Sequence, residues 1–395
     1  MSKHPPVVDW TTDFDHTDPR WTENPFPIWD DLRQKCPVAH SNRFQGVYLP
    51  TSYEAVSAIA HDTEHFSSRR VVVRDDRPEP PIPSPPITSD PPHHWPAKLM
   101  LLPYFTLAAV KKLEAKTRGL CNELIDRFIA DKRCDVATQY SRHIPVRVIA
   151  FLLGLSEGDS AQFIDWIHQI LEVGIKNDAV LMRAVGEMSR YFGAKIELRK
   201  KQPGDDLITA LMQARQEGAP LPSEHILGTL RLLLIAGIDT TWSAIGASLW
   251  HLARTPTDRK RLLAEPGLMP TAVEEFLRAY SPVTMARQVM KETAVCGVPV
   301  KPGNMVLLSF PAANRDPAVF PDADKVVLDR ANNRHAAFGL GIHRCVGSNL
   351  ARMELTVAIE EWLKRIPEFR LDPSSPVKWS EGTVRGPRQL PVLLG

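Results

Sequence analysis

The segment Phe338-Gly339-Leu340-Gly341-Ile342-His343-Arg344-Cys345-Val346-Gly347 sets one cysteine in a glycine-punctuated loop, directly before the helix-like run Ser348–Leu355. The glycines let the backbone turn tightly and approach a flat partner closely. A cysteine just before a helix N-terminus sees the positive end of the helix dipole, which favours thiolate, the form that binds metal. A lone cysteine there can also be a small buried hydrophobe. A second group is Ala236-Gly237-Ile238-Asp239-Thr240-Thr241, which places poor helix formers inside a run rich in Leu and Ile. Either the helix kinks there with hydroxyls bonded back to the preceding turn, or the broken local rule marks function. A carboxylate and a hydroxyl within reach of water are the groups that proton delivery requires. A third pair, Glu275 and Arg278, stands at i and i+3 on a helix. By itself such a pair is commonly a solvated surface contact.

Taken whole, Phe followed by Gly-x-Gly-x-His-x-Cys-x-Gly resembles the haem-binding loop of the cytochrome P450 family. The resemblance implies that the Cys345 thiolate is the axial ligand of the iron of haem b, and thiolate ligation favours cleavage of the O–O bond. It implies that the Ala236–Thr241 run is the oxygen-activation motif on the distal side, in a helix that opens there and leaves a gap in its backbone ladder. Thr240 would then donate a hydrogen bond to dioxygen during its activation, and Asp239 would relay protons from solvent. Glu275 and Arg278 match the structural pair that ties its helix to the loop before the cysteine. His94, Lys98 (where the family usually has Arg), Arg287 and His343 stand at positions that hold the haem propionates. Asn314-Arg315-Asp316-Pro317 and His335 also fit the approach to the haem loop. The likeness runs from about Asn24 to the terminus with all motifs in order. It implies a mainly α fold with small β-sheets (α+β), a triangular prism with haem between the long distal helix and the Cys-loop helix, and one haem domain over residues 1–395.

The activity so implied is a monooxygenase that inserts one oxygen atom from O2 into a C–H bond of a small or medium organic molecule, by hydroxylation or oxidative dealkylation. No flavin, nicotinamide or ferredoxin segment accompanies the motifs, so electrons from NAD(P)H are expected through a ferredoxin-type donor and its reductase. Lys98, Lys111, Lys112, Arg344 and Arg352 are candidates for a docking face. Two alternatives differ in class. A peroxide-driven enzyme of the same fold typically lacks the acid–Thr pair present here as Asp239 and Thr240. A non-catalytic haem-binding or gas-sensing protein needs no proton relay and usually carries an output domain. The substrate pocket is expected from Leu234, Ala236, Val283, Thr284 and Thr383, with the loop Val71–Ser89 and helices around Phe163–Met188. These are mostly apolar, so an apolar substrate body is expected. Arg70 and Arg74 read as surface residues that could otherwise bind a carboxylate or phenolate.

The elements that must position these groups are mostly helices. Helical periodicity dominates from Leu99 to about Arg215, Ser223–Ala253 reads as one long helix, Pro270–Tyr280 as another, and Ser348–Lys364 as the last. Short helix and strand are expected near Phe26–Lys35 and Gly46–Leu49, with a hairpin of Val295–Pro299 and Met305–Ser309 around Lys301–Asn304, and short strands in Val377–Leu394. Between Pro78 and Pro92 eight of fifteen residues are proline, which excludes helix and central strand; closely flanking elements favour an ordered loop over a linker.

Composition bounds the rest. The 395 residues are 43% hydrophobic with a net charge of +2, which gives no reason to expect nucleic acid or an anionic membrane as partner. Five cysteines, odd in number and widely spaced, argue against a disulfide framework or structural zinc and fit a reducing cytoplasm. The N-terminus has no apolar stretch, and the apolar run Leu232–Ile238 is too short to span a membrane. A monomer is expected.

Overall fold

The computed structural model describes residues 4–75, 82–216 and 218–395. The long helix Ser223–Arg254 runs through the middle. By length and composition it could cross a membrane, but 72% of its apolar window is buried inside the protein. Its Leu230, Leu234 and Ile238 enter one core with Ile149, Phe163 and Leu207. Further on, Ile245, Leu249 and Leu252 enter a second core with Tyr140, Phe276 and Trp362. A helix apolar on most of its circumference is stable only when covered on most sides. Here His143–Leu152, Asp178–Lys201 and Ser348–Arg365 cover it.

Ser348–Arg365 packs in turn on Leu107–Asp126, whose N-terminus is capped by Thr106 accepting from the Ala109 amide at 3.2 Å. The capped helix and the Tyr140 hydroxyl, which donates to the Ala358 carbonyl at 2.8 Å, brace the helix that follows the cysteine loop.

The largest sheet has five strands in the order Val38–Ser41, Val47–Pro50, Met305–Ser309, Thr284–Val289, Phe66–Ser67. Met305–Ser309 lies parallel to Val47–Pro50 and antiparallel to Thr284–Val289. This corrects the expected hairpin. The chain turns earlier, at Cys296-Gly297, so that Thr293–Val295 pairs with Val298–Val300. Both turn residues have positive φ, 49° and 81°, as a tight two-residue hairpin turn requires. Met305–Ser309 is thereby free to become the fully buried centre of the five-stranded sheet. A three-stranded sheet joins Phe369–Leu371, Pro391–Leu394 and Arg133–Asp135.

Pro78–Pro81 of the proline-rich stretch lie outside the described residues. The remainder is an ordered loop tied to the long helix: the Thr229 hydroxyl donates to the Pro85 carbonyl and Arg231 to that of Pro83, each at 3.1 Å.

Candidate functional site

Between the long helix and the cysteine loop lies a cavity lined by Cys345, His343, Lys98, His94, Arg287, Thr240 and a mostly apolar wall. Its floor is the loop. The Cys345 amide donates to the Phe338 carbonyl at 2.7 Å, tying the two ends of the loop together, and the Arg344 amide donates to that of Gly341 at 3.2 Å, closing a tight turn within it. Gly341 has φ +65°, and a Cβ there would lie 2.2 Å from the Ala60 carbonyl oxygen, so only glycine lets the loop seat against the helix Tyr53–His61.

Cys345 is open to the cavity and enclosed by protein elsewhere. Burial raises its thiol; the Gly347 amide, Lys98, Arg344 and Arg352 oppose that rise without overcoming it. A metal cation held by Cys345 would favour the thiolate.

The cavity rim gathers basic side chains, of which Lys98, Arg287 and Arg344 carry the charge. The His94 and His343 rings meet edge to face with centroids 4.4 Å apart, and His343 Nε2 lies 2.8 Å from the Ser68 hydroxyl. Burial, then Arg287, His94 and Lys98, bring His343 down to about 2. Burial brings Arg287 down to about 10 against the pull of Asp90; the residue is 4% exposed, its guanidinium donates to the Ala286 carbonyl, and it makes no close ion pair among the described residues. Such a cluster is costly unless an anion neutralises it. A dianionic, flat, apolar group with a metal facing Cys345 fits this donor set. Lys98 also lines this cavity, and its ammonium donates to the carbonyls of Ile342 (2.6 Å) and Arg344 (2.8 Å), buttressing the cysteine loop.

On the opposite wall the long helix presents Leu233, Ala236, Gly237, Thr240 and Ala244. That spacing of three and four residues marks one helical face. The backbone is helical throughout Ser223–Arg254, and the Thr240 hydroxyl donates to the Ala236 carbonyl at 2.8 Å. The expected opening of the ladder is absent from this continuous helix. Asp239 points the other way. It is 1% exposed and paired with Arg388, whose Nη2 lies 2.8 Å from Oδ1 and 3.0 Å from Oδ2; the directed hydrogen bond goes to Oδ2. Burial raises Asp239 to about 6, with Arg388 opposing.

The pocket expectations divide. Ala236 and Val283 line the cavity. Leu234 does not, because it is one residue out of helical phase and sits in the core. Thr284 does not either: strand alternation turns Met285 and Arg287 inward instead, and the Thr284 amide donates to the Thr383 carbonyl at 3.0 Å, which also holds Thr383 in a turn off the cavity. Pro86 and Ile87 of the proline-rich loop line it, whereas Phe163 and Met188 are core residues. Arg70 and Arg74 are not surface residues: each is 9% exposed, and Arg74 donates to the Gly174 carbonyl at 2.6 Å and pairs with Asp178.

Glu275 and Arg278 are fully buried, far from the solvated pair their spacing alone suggests. Arg278 makes a two-pronged contact with Glu275 at 2.7 and 2.8 Å and donates to the carbonyls of Asn314, Ala323 and Lys325. Glu275 also accepts from the Val327 amide (2.8 Å), Arg330 (3.0 Å) and Asn333 (3.2 Å). One ion pair thus pins the irregular chain that leads to the cysteine loop. Glu274, which sequence reasoning passed over, takes Arg352 (2.6 Å) and His335 (2.9 Å). Burial raises Glu274, and the bonds from His335 and Arg352 outweigh it and bring it down to about 2. Arg352, half-buried, is paired there and lies over the Phe338 ring at 4.4 Å. Adjacency of Glu274 to the Glu-x-x-Arg motif was its only sequence signal. Arg388 had none.

A sequence profile described as "Cytochrome P450" matches residues 180–384. The mycinamicin IV hydroxylase/epoxidase of Micromonospora griseorubida is 34% identical over 375 residues, covering 92% of this chain and 94% of that protein. The polyketide biosynthesis cytochrome P450 PksS of Bacillus subtilis is 30% identical, over 78% of this chain and 77% of its own length. Among solved structures, CYP109E1 of Bacillus megaterium in complex with testosterone superposes with a TM-score of 0.87 at 33% identity, covering 94% of this chain and 97% of that one. With the cysteine loop, the cationic rim and the distal helix assembled around one cavity, this chain belongs to the cytochrome P450 family and is a haem-dependent oxidoreductase of the monooxygenase type.

Proposed function

We propose that this protein, one haem domain throughout, hydroxylates or oxidatively dealkylates an apolar, medium-sized organic molecule, with electrons from NAD(P)H through a ferredoxin-type donor and its reductase. The observation that carries this reading is the juxtaposition of Cys345 with the Thr240 hydroxyl across one cavity whose walls are otherwise apolar. Haem bound to the Cys345 thiolate supplies the iron at which dioxygen is reduced and one of its atoms enters a C–H bond. The chain does the rest. Arg287, His94 and His343 hold the propionates, with Lys98 keeping the loop carbonyls in register. Ile87, Leu233, Ala236 and Val283 grip the substrate body and exclude water. Thr240 needs only a side-chain rotation off Ala236 to donate its hydrogen bond into the cavity, and Asp239 replaces the proton it passes on. One relative is named a mycinamicin IV hydroxylase/epoxidase and another was solved with testosterone, which supports an organic substrate of medium size.

The test is spectroscopic first. Reduced protein with carbon monoxide gives the thiolate-type absorption, and Cys345→Ser removes it. Retention of that absorption in Cys345→Ser, with its loss on changing another cysteine, refutes the ligand assignment. NADH-driven turnover of macrolide and steroid panels with a surrogate ferredoxin and reductase then tests the reaction. Product formation with hydrogen peroxide alone, and none with NADH, would favour the peroxide-driven alternative.

A further inference from the structure

The first half of the long helix holds the proline-rich loop. Pro83, Pro85 and Pro86 have no amide N–H, so this part of the loop has few donors with which to fasten itself. The helix supplies them: the Thr229 hydroxyl donates to the Pro85 carbonyl and Arg231 Nη2 to the Pro83 carbonyl, each at 3.1 Å. Gly228 forms the seat, since a Cβ there would lie 2.6 Å from the Pro83 carbonyl oxygen and 2.9 Å from the Pro85 ring. Beyond the seat the loop closes on itself. The Ser84 amide donates to the Thr88 hydroxyl at 2.8 Å, and the Thr88 amide returns to the Ser84 carbonyl at 3.2 Å. The far end is fixed at Asp90, which accepts from the Ser67 hydroxyl and, at 2.8 Å, from the Ser68 amide. Between these fastenings stand Pro86 and Ile87, which line the haem cavity.

Arg231 is the unexpected member of this set. It is buried among Leu230, Leu233 and Leu234, where packing alone has no use for a guanidinium and burying one is costly. Its one carboxylate contact, Glu224 at 3.4 Å, is with a side chain 63% exposed, and such a long, solvated pair contributes little. Its closer bonds go elsewhere: Nη1 to the Ser189 hydroxyl at 2.8 Å, on the helix Asp178–Lys201, and Nη2 to Pro83. Arg231 thus joins two helices and the loop at one point. Thr240 stands on the same uninterrupted helix, about 14 Å further along its axis. The wall that Ile87 contributes is therefore indexed to the rod that carries Ala236 and Thr240.

We propose that Arg231 is a specificity-determining positioning residue: by holding the Pro83 carbonyl it fixes the Ile87 wall against the face of the long helix that bears Ala236 and Thr240, and so sets how broad a ligand the cavity accepts. Arg231 does not itself line the cavity and acts only through the loop. The helix divides its labour by phase. Gly228, Thr229 and Arg231 turn to the loop, whereas Leu233, Ala236 and Thr240 turn to the cavity. With its prolines locked in φ and its carbonyls held from outside, the loop behaves as a fixed partition that does not retreat before a bulky ligand. The inference rests on the reading of Ile87 as part of the substrate grip.

The experiment titrates the haem-loaded protein with two probes, imidazole and the bulky clotrimazole, and reads the ratio of their dissociation constants from the Soret shift. Ile87→Ala opens the wall and should move the ratio towards clotrimazole. Arg231→Met keeps the side chain's length but donates nothing. It should move the ratio the same way by about fivefold or more, the worth of one ordinary hydrogen bond. Arg231→Lys, which retains a donor, should recover part of the shift, and Glu224→Gln, which leaves the Pro83 bond, should not move the ratio. In Arg231→Met combined with Ile87→Ala the shift should not exceed that of Ile87→Ala alone, because both act on one wall. A wild-type ratio in Arg231→Met overturns the anchor, as does an effect that adds in full to Ile87→Ala or that Glu224→Gln reproduces. Should Arg231→Met not fold, Arg231→Lys and Thr229→Val, which removes only the bond to Pro85, carry the test, and wild-type ratios in both overturn it. If Ile87→Ala itself leaves the ratio unchanged, the reading of Ile87 as substrate wall fails and takes the proposal with it. If Ile87→Ala alone moves the ratio, the wall stands and only the anchor fails.

Discussion

The two faces of the haem cavity are built on opposite principles. On the cysteine side the chain leading to the loop is pinned by a closed network: every polar side-chain atom of the buried pair Arg278 and Glu275 is bonded, and Lys98 caps loop carbonyls. The helix side has its polar groups satisfied locally or shared: the Thr240 hydroxyl is parked on Ala236, and Arg388 is divided between Asp239 and Glu172. A ligand that must never move is held by a closed network, in which each lost partner strands a buried charge.

The largest expected effect is on the closed side. Arg278→Ala leaves Glu275 with Arg330 as its one cationic partner and deprives three interior carbonyls of their donor, and should cost ~3–5 kcal/mol. Haem retention and the thermal midpoint should fall together, and an unchanged melting curve would break the contrast. On the open side, Thr240→Ala should leave stability nearly intact and lower product formed per NADH on the order of 10²-fold or less, with hydrogen peroxide rising as NADH consumption continues. Measuring product, peroxide and NADH in one assay checks it; unchanged coupling would reduce Thr240 to a helix residue.

A smaller effect sharpens the closed side through pH. Glu274 is depressed to about 2, so its pairing with His335 and Arg352 stabilises fully above its ordinary value of 4.5 and is lost as pH falls towards 2. Glu274→Gln should remove about 1 kcal/mol at neutral pH and flatten the acid limb of the stability curve. Unfolding monitored from pH 7 to 2 tests this, and parallel curves for variant and wild type would contradict it. The smallest effect concerns the apolar wall. Val283→Phe should leave haem binding alone and shift the spin-state response from bulky to slender ligands, whereas Thr383→Val, off the cavity, should not.

Much of this was legible in the chain before any coordinates. Glycine spacing around Cys345, and the Gly-Asp-Thr interruption of a Leu-rich helix, are local signals. They report what the backbone must do within a few residues of itself, so the loop, the long helix and the family could be named. Phase errors of one residue displaced Leu234 and Thr284, because helical and strand registers are set by packing partners that the local pattern does not contain. The Val295–Pro299 hairpin failed for a related reason: the left-handed turn at Cys296-Gly297 competed with Lys301–Asn304, and sheet assembly chose between them.

What the sequence alone determined is the chemistry of the ligand, the order of motifs and the mainly helical architecture, all carried by residues close together in the chain. Tertiary structure alone decided that Glu275 and Arg278 are interior, that Arg74 belongs to Asp178, and that the acid of the distal motif meets Arg388, 149 residues away. Burial and long-range pairing are properties of the closed fold. A guanidinium written near the C-terminus carries no mark of the carboxylate it will face until Gly386 and Ser243 bring the two into contact.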